Sequence, residues 1–167
     1  MPIDTTTRPF FLQAQEGRAV WHLGALLVFK TAGDGTGGRC WTKEVLAPRG
    51  MAAPRHVHSL EDETFYVLDG EVTFYVGDEV LPAPAGSFLW APRGVPHAFC
   101  VESETARFLA FATPGGFEQF FFSTGEPARA LTVPPPSSEP PDIDQLARAL
   151  ADYGVKVVGP PPAPRQP

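Results

Sequence analysis

Between residues 18 and 112 the apolar residues come in short runs separated by glycine, proline and aspartate. Runs of that length with that punctuation read as strands. The expected strands are Leu26–Thr31, Arg39–Leu46, Ala53–Val57, Glu63–Leu68, Val72–Val76, Ser87–Ala91, His97–Val101 and Ala106–Ala112. Eight short strands with no long amphipathic helix between them predict an all-β sandwich or barrel. Asp69-Gly70 lies between two of these runs and predicts a two-residue hairpin, because both turn positions favour positive φ. Gly33, Gly35 and Gly38 match GxGxxG, but the strand-like Arg39–Leu46 follows where a dinucleotide site needs a helix. The stretch therefore reads as a flexible hairpin.

The period changes beyond residue 112. Phe117, Phe120 and Phe121 share one face if Gly115–Ser123 forms a short helix, with a strand-like closing segment as the alternative. Ile143, Leu146, Ala147 and Leu150 predict a helix over Ile143–Tyr153, with Asp142 as N-cap and Gly154 just past its end. The expected organisation is an N-terminal arm (1–17), a barrel (18–127), a proline-rich linker (128–141), a helix with its extension (142–159) and a disordered tail (160–167).

Composition narrows the class. The 167 residues suit one domain, and 43% hydrophobic with 19% charged residues describes an ordinary globular chain. The net charge of −6 disfavours a nucleic-acid partner, and no helix-turn-helix segment or basic patch opposes that. No apolar run approaches the ~20 residues needed to cross a bilayer, and no secretory leader is visible, so a cytoplasmic location is expected. Cys40 and Cys100, far apart and outside any CxxC spacing, read as reduced thiols. Cys100 follows His97 by three residues, which raises a redox-sensitive thiol near that histidine as a lesser alternative.

His56 and His58 stand at i and i+2 of an expected strand, so both imidazoles project to one face. Glu63 opens the next run and His97 comes from another strand. Mixed imidazole and carboxylate donors suit Fe, Mn, Ni, Co, Cu or Zn, whereas an HxH pair alone is more often a solvated loop.

The spacing Gly50-x5-His56-x-His58-x4-Glu63-x6-Gly70 resembles the first cupin motif at every signature position. Gly86-x5-Pro92-x-Gly94-x2-His97 resembles the second, with Val101 where an asparagine often stands. Residues Pro114 to Phe121 and Gly125-Glu126-Pro127 look like the segment after the barrel in quercetin dioxygenase-like single cupins, and Leu146–Pro161 looks like their C-terminal extension. The resemblance implies a cupin double-stranded β-helix, or jelly-roll barrel, with a short helical extension. It implies one divalent metal ion held by His56, His58, Glu63 and His97, and a homodimer formed through the sheets, for which Tyr66 and Tyr75 are candidate outward residues.

In quercetinase-like cupins the glutamate also takes a proton from the enolic hydroxyl of the substrate, which assigns the catalytic base to Glu63. The substrate is then a small apolar or aromatic molecule, with dioxygen as co-substrate. Phe65, Phe74, Phe88, Trp90 and Phe99 are candidates to line its pocket, with ordinary core packing as the alternative. Arg55 and Arg93 flank the histidine segments, where they are either solvated or placed to meet an anion. The same ligand set also serves isomerases, cyclases, decarboxylases and non-catalytic ligand-binding cupins.

Overall fold

The computed structural model describes residues 8–137 and 141–165. Strands β1 (Arg18–His22), β2 (Ala25–Thr31), β3 (Trp41–Pro48), β4 (Ala52–His58), β5 (Asp62–Asp69) and β6 (Glu71–Val76) precede β7 (Glu79–Pro84), β8 (Phe88–Ala91), β9 (His97–Val101) and β10 (Thr105–Thr113). The short β11 (Glu126–Pro127) and β12 (Val155–Gly159) follow. They form two antiparallel sheets, ordered β11-β1-β2-β3-β10-β5-β8 and β12-β4-β9-β6-β7. This is the expected all-β jelly roll, and no helix among the described residues is long and apolar enough to cross a membrane.

Alternation builds the core. In β3 the inward set is Trp41, Lys43, Val45 and Ala47, and in β10 it is Ala106, Phe108, Ala110 and Ala112, all buried. Phe65 of one sheet meets Phe74 of the other with ring centroids 4.9 Å apart, and Phe99 meets Phe108 at 5.3 Å. Burying each such side chain contributes about 1.5–3 kcal/mol.

Four strands depart from the sequence expectation. β1 and β11 were not expected, nor was β7, whose Pro82 and Pro84 are tolerated because β7 is an edge strand. β12 pairs along β4, setting Val155 opposite His58 and Val157 opposite His56. The Asp69-Gly70 turn is a corner rather than a hairpin, since β5 and β6 belong to different sheets. Only Gly70 has positive φ (77°), so a type I′ turn is not formed. A Cβ on Gly70 would fall 2.4 Å from the Thr105 carbonyl oxygen, so the corner also needs glycine for clearance.

Between β2 and β3 the expected flexible hairpin contains one helical turn, α1 (Gly33–Thr36). The second helix, α2 (Glu118–Thr124), presents Phe120 and Phe121 to the barrel together with the preceding Phe117, all buried. Its Glu118 accepts hydrogen bonds from the amides of Gly33 (2.7 Å) and Gly116 (2.6 Å), tying α2 to the β2–β3 connection. The third helix, α3 (Ile143–Ala151), starts at Asp142, whose carboxylate accepts from the Gln145 amide at 2.9 Å. Gly154 takes the left-handed conformation (φ 73°) just beyond it.

The expected arm, linker and tail extend in part outside the described residues. Residues 160–165, expected to be disordered, instead lie along the barrel. The Pro160 carbonyl accepts from the Arg55 amide, Arg165 donates its amide to Glu102, and its guanidinium pairs with Glu71. Proline prevents ladder formation, but side-chain and isolated backbone bonds still fix the segment.

Candidate metal centre

β4 carries His56 and His58 with both rings on the inner side, β5 begins with Glu63 in its second position, and β9 begins at His97. The pairing of His56 with His97 across β4 and β9 joins two of them directly. One donor atom from each of the four residues lies within 4.8 Å of every other, and these groups are buried. The sequence-derived quartet is therefore one cluster in space.

The hydrogen bonds orient the rings. Nδ1 of His56 faces the Pro54 carbonyl at 2.7 Å, Nδ1 of His58 faces Glu61 at 3.0 Å, and Nδ1 of His97 faces the Val95 carbonyl at 3.2 Å. A carbonyl or carboxylate can only accept, so each Nδ1 donates and each Nε2 is turned toward the cluster. His58 Nε2 is buried without a hydrogen-bond partner. His58 and His97 Nε2 lie 3.5 and 3.1 Å from Glu63 Oε2. An unpartnered imidazole nitrogen, two further aimed nitrogens and a carboxylate oxygen fit a divalent metal ion.

Electrostatics favours the ligating forms of two donors. Burial, with His97 and His58 beside it, lowers the His56 pKa from 6.5 to about 3, against the opposing pull of Glu63 and the Pro54 carbonyl. Burial alone would raise Glu63, but the His97 hydrogen bond and the positive charge of His58, His97 and Lys43 outweigh it and hold the carboxyl at about 2. Both residues are thus ready for a cation near neutral pH.

Glu61 opens the run Glu61-Asp62-Glu63, three adjacent carboxylates. It is 3% exposed and holds His58 from behind, the usual arrangement for a ligating histidine. Glu61→Gln is expected to weaken metal binding by about 10- to 100-fold with the fold intact, as read by competition with a chromogenic chelator. Unchanged affinity would remove Glu61 from the site. Asp62 is half-buried and bonds the Arg93 amide and guanidinium at 2.8–3.0 Å, bracing the turn before His97. Arg93 is thereby engaged outside the cluster, and Arg55 donates to the Gly77 carbonyl at 2.5 Å.

The aromatic candidates divide. Phe65 and Phe74 are buried and Phe99 partly so, but Phe88 and Trp90 are 67% and 57% exposed on the outer face. The register explains the correction: Glu63 pairs with Ala91 and Phe65 with Leu89, so Phe88 and Trp90 have outward parity with Tyr66 and Thr64. Cys100 lies an odd number of positions from His97 and so faces the other way, buried, with its thiol pushed up by burial and by Glu102. A reactive thiol at the cluster finds no support there.

The fourth histidine, His22, is buried against Phe120 and Phe121 and outside the quartet. Burial, then the charge of Lys43, lowers it from 6.5 to about 4. The unfolded chain takes up a proton on His22 near pH 6.5 and the folded chain does so only near 4, so this residue makes metal-free protein lose stability on acidification. His22→Gln is expected to reduce the slope of stability against pH between about 6.5 and 4.5 by up to about 1.4 kcal/mol per pH unit. Denaturant titrations at several pH values measure it, and an unaltered slope would contradict the assignment.

The family model described as Cupin domain matches residues 42–112, the stretch from β3 through β10 that contains all four clustered residues. Residues 42–112 are a cupin domain. This cupin is 26% identical over 154 residues to quercetin 2,3-dioxygenase of Bacillus subtilis, an alignment covering 91% of the chain and 45% of that protein. It thus spans less than half the length of that relative. Among solved structures it resembles KdgF from Halomonas sp., at TM-score 0.59 and 17% identity, over 68% of this chain and 99% of that one. It also resembles a predicted oxalate decarboxylase from Thermotoga maritima, at TM-score 0.59 and 18% identity, over 63% and 99% of the two chains. Identities this low establish a shared cupin fold.

Proposed function

We propose that this cupin is a metal-dependent dioxygenase acting on a flavonol or a related enolisable aromatic. The observation that carries the reading is the buried three-histidine, one-glutamate cluster inside an aromatic-lined barrel. The similarity to quercetin 2,3-dioxygenase supports the choice of reaction. His56, His58, Glu63 and His97 would hold the ion, one divalent transition metal. Bound there, it supplies Lewis acidity toward an enolic hydroxyl and a redox partner for dioxygen.

Glu63 carries the proton chemistry. Its carboxylate takes the hydroxyl proton of the substrate while Phe65 and Phe99 exclude water beside it. The pull that keeps its proton affinity low comes largely from positive histidines. Ligation requires neutral imidazoles, and the ion's own charge then takes their place beside the carboxylate.

An oxygen electrode tests the reading. Metal-loaded protein is expected to consume oxygen as a flavonol disappears, and chelation stops both. Product formation under nitrogen would instead assign a non-oxidative isomerase, cyclase or decarboxylase, and no turnover in either atmosphere would assign a ligand-binding cupin.

The outer face of the seven-stranded sheet joins Tyr66, Phe88, Trp90 and Phe111 in neighbouring register positions, each at least 37% exposed. A contiguous aromatic face of this kind supports the homodimer implied by family resemblance. Sedimentation is expected to give twice the 18.0 kDa chain mass, and a monomer at micromolar concentration would contradict it.

A further inference from the structure

Lys43 is the one buried lysine or arginine among the described residues. It stands on the inward face of β3, between Trp41 and Val45, at 7% exposure. Its ammonium sits 3.5 Å from the centroid of the Phe121 ring and 4.9 Å from that of Trp41. Of the hydrogen bonds and ion pairs among the described residues, none involves its three N–H donors. Desolvating most of such a group without acceptors is unfavourable, and two aromatic faces offset that only in part. Glu63 is the carboxylate near enough to favour its charge, against a burial that lowers its pKa to about 8.

A divalent cation on Glu63 takes up the negative charge that now offsets Lys43. The interior then holds an ammonium in need of an anionic oxygen, in the inward row next to that of Glu63, since Lys43 and Phe65 pair with Ala110 while Trp41 and Glu63 pair with Ala112. Phe121 and Trp41 add flat surfaces next to that ammonium. We propose that Lys43 determines specificity by binding a carboxylate on the aromatic ligand, so that the substrate class is a hydroxylated aromatic acid anchored at the metal by its hydroxyl and at Lys43 by its acid group. This rests on the metal-centred reading of the site and narrows its substrate to the acid-bearing members of the related enolisable aromatics, so that a flavonol without an acid group is expected to be the poorer substrate.

Zinc-loaded full-length protein tests it by calorimetry with 3,4-dihydroxybenzoate and 3,4-dihydroxybenzamide, which share the ring and both hydroxyls and differ in charge. The acid is expected to bind at least about tenfold more tightly than the amide, as a charge-assisted pair requires. Lys43→Arg is expected to keep that preference, and Lys43→Met to bring the ratio to about one. Equal affinities in the unmodified protein, no binding of the acid, or a preference that survives Lys43→Met would each overturn the proposal. The comparison in the unmodified protein needs no variant to fold. Because no turnover is read, a failure of oxygen uptake leaves this ratio meaningful.

Discussion

Glu63→Gln is expected to leave the barrel folded, to weaken metal binding by at least about tenfold, and to lower turnover by about 10²–10⁴-fold. Glutamine keeps the shape of the side chain beside Ala91 and Ala112, its register partners on β8 and β10. It removes the charge that faces His58 Nε2 at 3.5 Å and His97 Nε2 at 3.1 Å. The amide oxygen can still face a cation, but it neither neutralises one nor accepts a proton from a hydroxyl. Circular dichroism, metal analysis and oxygen uptake on one preparation separate the three effects. Wild-type occupancy and turnover together would show that Glu63 is neither ligand nor base.

The largest loss of stability is expected from Trp41→Ala, about 3–5 kcal/mol. The indole is fully buried at the start of β3 and packs against Phe29, Phe117 and Phe121 with centroids 6.2–6.3 Å apart. It joins the seven-stranded sheet to the aromatic face of α2, so its loss leaves a cavity that rigid neighbours close only partly. Against the 5–15 kcal/mol typical of a whole domain, that change is large. Urea unfolding measures it, and a loss below about 1 kcal/mol would mean that α2 is held by something other than this contact.

Much of the barrel was legible because strand periodicity and turn chemistry are local. His56 and His58 at i and i+2 needed only the strand period to share a face. Asp142 announced its helix through a local hydrogen bond. What the sequence left open depends on partners distant along the chain. Phe88 and Trp90 look like core residues until β8 is known to pair with β5, and the Asp69-Gly70 corner looks like a hairpin until its flanks are seen in different sheets. Lys43 did leave a signal, since it occupies the same parity as Trp41, Val45 and Ala47 in an alternating strand. Glu61 left none, because nothing local separates the carboxylate that turns inward to His58 from Asp62, which turns outward to Arg93.

The clustering of four donors around one point has its most direct test in the anomalous scattering of a crystal soaked in a cobalt salt. One peak is expected in each barrel, about 2.0–2.2 Å from Nε2 of His56, His58 and His97 and from a Glu63 carboxylate oxygen. A crystal that shows no peak at the quartet, or places the ion on surface carboxylates alone, would contradict the metal centre and the chemistry assigned to it.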